Sequence, residues 1–360
     1  MRLGRHHEAT EAADRALILA EPLRLERTIA EAMANKAPAL AQLRRPREGT
    51  AILRAAADLA AEAGDMDLSL RALTNLGVFL SAQDLSQAMR TWNEALDTAG
   101  RLGQRKSQHW VWTVMTAAAV EEGRDWDGAL RQIEEVLADL REPSLRMALL
   151  GNRLWYLIYR GQETDATWAQ IDALREEHPD TDEFISSVHL HGFESLLQGR
   201  VEVAISELNE AIPRMGQNKG QGYGRLLLAG LYSRDLSVID TFDAFSETDS
   251  WVADGVDGIR QLAVAGRAAI EGRPADAVTA ARASVSLLEG CGWTVPAAEA
   301  KLFLLRILPD QPEFGPWVAE ARAKFEQLGM QPYLRWLDGA LANVPADRAP
   351  SVRPEVGSSR

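Results

Sequence analysis

Gly199-Arg200-Val201-Glu202-Val203-Ala204-Ile205-Ser206-Glu207-Leu208-Asn209-Glu210-Ala211-Ile212-Pro213 is the stretch from which the fold is read. A polar turn carrying Gly leads into an acidic residue and then Ala204, with Ala211 seven positions later. A spacing of seven returns to one face of a helix, and alanine at both places lets a neighbouring helix lie close.

The same phrase recurs along the chain. It reads Gly4 to Ala9 with Ala16, Arg47-Glu48-Gly49 with Ala56, Asp84 to Ala88 with Ala95, and Gly123 to Ala129 with Val136. It continues as Gly161 to Ala166 with Ala173, and Gly272-Arg273-Pro274-Ala275-Asp276-Ala277 with Ser284. From the anchors 9, 49, 88, 129, 166 and 204 the steps are 40, 39, 41, 37 and 38 residues; the step from 204 to 277 is 73, which leaves room for one degenerate repeat. Such a period accommodates two helices of roughly 14 to 18 residues with two short turns. The partner helices supply the bulk, as in Leu70-Leu73-Leu76-Leu80, Leu150-Leu154-Leu157-Ile158 and Val188-Phe193-Leu196-Leu197. Val and Ile do not run in period-two blocks between hairpin turns, so nearly everything is assigned to helix. The expected fold is all-α.

These residues resemble a known family. Gly199 to Ile205 with Ala211-Ile212-Pro213 is similar to the second half of a tetratricopeptide repeat, and Gly192 falls where that motif prefers a small residue in its first helix. The period near forty is longer than the family's usual one and is similar to the repeats in the C-terminal half of bacterial signalling ATPases. These include maltose-regulator-type activators and proteins with an adenylate or guanylate cyclase domain. The phrases Ala51 to Ala60, Ala72 to Gly77, Glu94 to Gly103 and Ala321 to Gly329 carry that likeness. The resemblance implies a right-handed superhelical α-solenoid of about eight to nine helix pairs over residues 1–341. A capping helix is expected over 331–341 and a disordered tail over 342–360, which is rich in Pro, Ser and Arg.

Composition narrows the function. A formal charge of −13 would repel phosphate backbones and anionic lipid, so neither nucleic acid nor a membrane surface is an expected partner. Cys291 is the one cysteine, which precludes an intramolecular disulfide and a thiolate metal cluster and fits a cytoplasmic setting.

Chemistry-bearing motifs are weak. Gly216-Gln217-Asn218-Lys219-Gly220-Gln221-Gly222-Tyr223-Gly224 lacks a preceding strand and the Lys-Ser/Thr of a phosphate loop, and reads as an inter-repeat loop. His189 and His191 are two apart, which on a helix points them to different sides. Glu121-Glu122, Glu134-Glu135 and Glu176-Glu177 read as solvated faces and not as converging acid and base. Trp92, Trp110, Trp126, Trp155, Trp168, Trp317 and Trp336 read as core filling. No catalytic, cofactor or metal site is expected.

The remaining expectation is a binding surface. In tetratricopeptide arrays the first helices line the concave face, and Asn75, Asn152, Arg153, Trp155, His189 and Arg225 fall on such helices. Asn side chains there can hold a peptide backbone through paired donor and acceptor bonds. The expected function is a non-catalytic interaction or regulatory scaffold that captures a protein or peptide segment in its groove, including upstream domains of a longer parent. Two alternatives stand beside it: a small-molecule inducer sensor within the superhelix, and the repeat part of a cyclase or ATPase whose catalytic domains lie elsewhere.

Overall fold

The computed structural model describes residues 5–178, 187–216, 219–249, 252–309, 311 and 314–342. It is 85% helix, with no strand among the described residues. The α-helices in chain order are α1 (His6–Ala20), α2 (Glu26–Gln42), α3 (Pro46–Glu62), α4 (Met66–Leu80), α5 (Leu85–Arg101) and α6 (Arg105–Glu122). Then come α7 (Trp126–Asp139), α8 (Pro143–Arg160), α9 (Asp165–Glu177), α10 (His189–Leu197), α11 (Val201–Ala211) and α12 (Lys219–Ser233). The last are α13 (Leu236–Thr248), α14 (Asp254–Ile270), α15 (Pro274–Gly290), α16 (Thr294–Ile307), α17 (Gly315–Leu328) and α18 (Gln331–Ala342). The expected tail lies outside the described residues, apart from Ala342, which ends α18.

Local chemistry sets the ends of these helices. Asp65, Asp84 and Asp125 each accept a hydrogen bond from the backbone N–H three residues on, satisfying donors that the first turn leaves open. Gly161, which opens one repeat phrase, ends α8 at φ 66°, a conformation that costs residues with a Cβ. Turns this short place consecutive helices side by side, and each described helix packs on its neighbours in sequence.

The alanine phrases fall on the odd-numbered helices. Ala56, Ala88, Ala95, Ala204, Ala211 and Ala277 are buried. Two register expectations differ: Ala129 is only partly buried, and on α9 the exposed residues are Ala166 and Ala173, while Thr164, Thr167 and Ile171 face the core. Thr167 and Ile171 are four apart and occupy the inward stripe that the alanines were expected to take. The degenerate repeat is α12 with α13. The glycine-rich stretch is correspondingly not all loop, because α12 begins at Lys219 and takes in Gly220, Gly222 and Gly224. At Gly222 a Cβ would lie 2.7 Å from both Ile212 and Met215, so that glycine permits close packing inside a helix.

The even-numbered helices do more than stack. α6 touches α8, α8 touches α10, α10 touches α12, α12 touches α14 and α14 touches α16. α16 then returns to touch α6 and also α12, and α18 lies on α8 and α16. These contacts form a closed circuit with α16 and α18 against its inner side. Twelve of the fourteen residues of α16 are buried, including Glu299 and Lys301. The array therefore holds one of its own helices where an open superhelix would be hollow.

Candidate functional site

Arg225 lies at the centre of that closed part. Its guanidinium sits 4.4 Å from the Phe193 ring centroid, 4.7 Å from Trp155 and 5.6 Å from Tyr159. From α16, Glu299 meets it with Oε1 at 3.1 Å. Tyr159 donates to the same carboxylate oxygen at 3.1 Å, and Tyr333 of α18 donates to it as well. Five helices, α8, α10, α12, α16 and α18, thus converge on one ion pair. Burial pushes both tyrosines well above their ordinary range, keeping them as hydroxyl donors. The aromatic faces attract the guanidinium in a site from which water is removed.

The other expected groove residues separate into two sets. Asn152 is buried, and its amide donates to the Thr113 carbonyl at 2.8 Å and to Thr116 Oγ1 at 3.0 Å, which ties α8 to α6. His189 is buried against Trp155 with centroids 5.3 Å apart. Trp155 is partly buried between Arg225, Tyr159, His189 and Phe193. Arg153 turns the other way and pairs with Glu134 of α7 at 3.2 Å. Asn75, on α4, keeps partial exposure. The structure thus brings Trp155, His189 and Arg225 together inside the protein and leaves Asn75 apart from them.

No protein-family model matches this chain, and no curated protein is similar to it.

Around Asn75 one face of α4 is open to solvent. On α4 the exposed stripe is Asp67, Arg71, Asn75 and Val78, with Val78 36% exposed. On α6 the corresponding stripe runs through Lys106, Trp110 and Ala117, with Trp110 43% exposed. Trp110 therefore differs from the core-filling expectation, whereas Trp92 and Trp126 are buried at 1% exposure. The reason is position: Trp110 is on the first turns of α6, and the contacts of α16 fall on the last turn, where Thr294 donates to the Glu122 carbonyl at 2.5 Å.

Among the described residues no group of three or more His, Cys, Asp or Glu side chains could hold a metal ion, and no helix is long and apolar enough to cross a membrane. A hollow of about 590 Å³ lies between the starts of α11 and α13 and the end of α14, edged by Val201, Ile205, Leu236 and Ile270. On its charged rim Arg234 donates to the Arg306 carbonyl at 2.8 Å, and the Asp235 carboxylate accepts the N–H of Ser237 at 2.9 Å. Cys291 is buried, and burial pushes its thiol up to about 11, which removes it as a nucleophile at neutral pH.

The Arg225 and Glu299 cluster was not legible as a site in the sequence. A signal was present in α16, whose apolar residues Val295, Ala297, Ala298, Ala300, Leu302, Phe303, Leu304, Leu305 and Ile307 run round the whole helix. Such a helix is one that is buried on every side.

Proposed function

We propose that this chain is a tetratricopeptide-like, right-handed α-solenoid that works as a non-catalytic protein-interaction scaffold in the cytoplasm. Its docking surface is the open inner face of α4 and α6, where Asn75, Arg71, Val78 and Trp110 hold a segment of another protein or of upstream domains in a longer parent. The observation that carries the reading is the contrast in exposure along the even-numbered helices. Trp110 and Val78 are uncovered, while Trp155, His189 and Arg225 are packed beneath α16 and its neighbours. The half-exposed Trp110 of α6 supplies an apolar anchor, and Arg71 and Asn75 of α4 supply hydrogen-bond donors of the kind that peptide recognition uses. The net charge of −13 opposes a polyanionic partner.

The test is a photo-crosslinking amino acid placed at position 110 in the native host, with position 203 on the exposed part of α11 as control. Adducts at 110 that are lost on Asn75→Ala support the surface. Adducts at 203 alone would refute it. Purified protein is expected neither to hydrolyse nor to cyclise nucleoside triphosphates, and turnover that depends on Lys219 would replace the scaffold reading with an enzymatic one.

A further inference from the structure

We propose that the seam between the end of α6 and the start of α16 is a pH-dependent closure, held shut when the Glu121 carboxyl is protonated and loosened when it ionises. Glu121 occupies the last turn of α6. The residue as a whole keeps partial exposure, but its Oε2 is sealed from solvent and has no hydrogen-bond partner. This differs from the solvated face that the Glu121-Glu122 pair suggests in the sequence.

Charged and hydrogen-bonding groups around Glu121 are already engaged, the Tyr159 hydroxyl with Glu299 among them. On its own helix Glu122 pairs with Arg124 at 2.7 Å. On α8 the Tyr156 hydroxyl donates to the Thr116 carbonyl, and Arg160 pairs with Asp127 of α7 at 2.8 Å. On α12 Arg225 is committed to Glu299 of α16. Cys291, just before α16, is buried and donates to the Leu288 carbonyl. On α17 Lys324 is held by the Gly123 carbonyl at 3.2 Å. An ionised Glu121 would therefore place a second carboxylate charge beside Glu299 with only a shared Arg225 to offset it, and full solvation of its sealed Oε2 requires the helices around it to separate.

The direction follows from burial. Burial pushes the Glu121 carboxyl up to about 7, with Arg225 lowering it and Glu299 raising it further. An unfolded or opened Glu titrates near ~4.3. The protonated form thus contributes full stability below about 4.3. That stability is lost as pH rises through the folded value near 7, and above it the seam carries the whole penalty.

The contacts at risk are identifiable. Across the seam Thr294 donates to the Glu122 carbonyl at 2.5 Å. Gly123 is so close to Val295 that a Cβ there would lie 2.6 Å from its methyl group. These contacts span the seam, whereas the Arg225 and Glu299 pair lies deeper and stays closed.

The experiment is hydrogen exchange read by mass spectrometry at pH 5.5, 7 and 8.5, corrected for intrinsic exchange rates. Peptides covering 115–124 and 292–300 are expected to lose roughly ten- to thirty-fold protection between the extremes, the upper figure being the limit for a carboxyl moved from ~4.3 to about 7 over that pH interval. Peptides from α3 are expected to stay flat. Glu121→Gln should hold the low-pH protection at every pH. If that variant fails to fold, carboxyl ¹³C titration of the wild type decides: a Glu121 resonance titrating near 4, or seam peptides that follow α3 at every pH, would overturn the proposal.

Discussion

The packing of α2 to α5 and that of α6 to α18 start from the same two-helix unit and fill the space between helices differently. In the first region the core is built on alanine: Ala30, Ala34, Ala37, Ala41, Ala56, Ala57, Ala60, Ala88, Ala95 and Ala99, with Phe79 and Trp92 as its large members. In the second it is built on rings, with Trp126, Tyr156, Tyr159, Phe193, Phe303, Phe325, Tyr333 and Trp336 in one continuous cluster. Small side chains bring helices together, and the polar side chains buried among them, Thr50, Ser69, Thr74, Thr91 and Thr98, are all uncharged. Rings hold helices further apart, and at the centre they surround a guanidinium and the carboxylate it pairs with. The lesson is that closure, not the repeat itself, decides where charge is buried in this protein.

The sharpest way to break this comparison is to remove one partner of the central pair. Glu299→Ala is expected to cost about 3 to 5 kcal/mol, because Arg225 is left buried and uncompensated. Replacing both with apolar residues, Arg225→Met with Glu299→Leu, should recover most of that. Urea denaturation gives the size, and hydrogen exchange gives the place: α6 to α18 should lose protection while α2 to α4 keep theirs. Equal loss in both regions would merge them into one cooperative unit.

Two glycines sharpen it next. Gly64 and Gly123 both follow a helix with positive φ, 74° and 61°. A Cβ at Gly64 meets nothing within 4 Å, whereas at Gly123 it meets the Val295 methyl at 2.6 Å across the seam. Gly123→Ala is therefore expected to cost about 1 to 3 kcal/mol more than Gly64→Ala, the difference being overpacking. Equal urea midpoints at equal slopes would show that the seam gives way freely.

Within the repeats, Ala204→Leu should cost about 1 to 3 kcal/mol, and Ala166→Leu should fall within ±0.5 kcal/mol, since Ala204 is fully buried and Ala166 exposed. The smallest effect is expected at the open face. Trp110→Ala should change stability by no more than about 0.5 kcal/mol. Under the proposed function, Asn75→Ala weakens partner binding by about 1 to 3 kcal/mol without lowering the melting temperature, as isothermal calorimetry with the crosslinked partner would record.

How far the sequence was readable follows the same division. Local features carried through: the helical class, the period, the second-helix alanines on α3, α5, α11 and α15, and a helix beginning at Gln331. Each depends on residues a few positions apart on one helix. The α9 register was misplaced because Thr167 and Ile171 compete with Ala166 and Ala173 for the inward face, and spacing alone does not rank them. The candidate groove residues all fall on even-numbered helices, yet their surroundings depend on which distant helix arrives. Arg225 reads as a groove residue until Glu299, 74 positions later, is known to cover it. Asn152 reads as a peptide clamp until Thr113 and Thr116 are known to accept both of its amide bonds. Trp110 reads as core because its helix has aliphatic neighbours, and only the position of α16 leaves it uncovered.

The long sequence separation of that closure also sets a timetable. Most contacts of α2 to α5 are with neighbours already made, whereas Thr294 and Glu122 are 172 positions apart and even the α4–α5 turn waits for the second region, with Trp293 donating to the Ser81 carbonyl across 212. A chain growing from its N-terminus therefore passes through a long interval in which Arg225 and the ring faces around it have emerged and their covering helix has not. Loop closure over such distances is slow, and exposed apolar surface in that interval favours association with other chains. Translation rate and chaperone supply between residues 225 and 299 should accordingly govern yield more strongly than the stability of the finished fold.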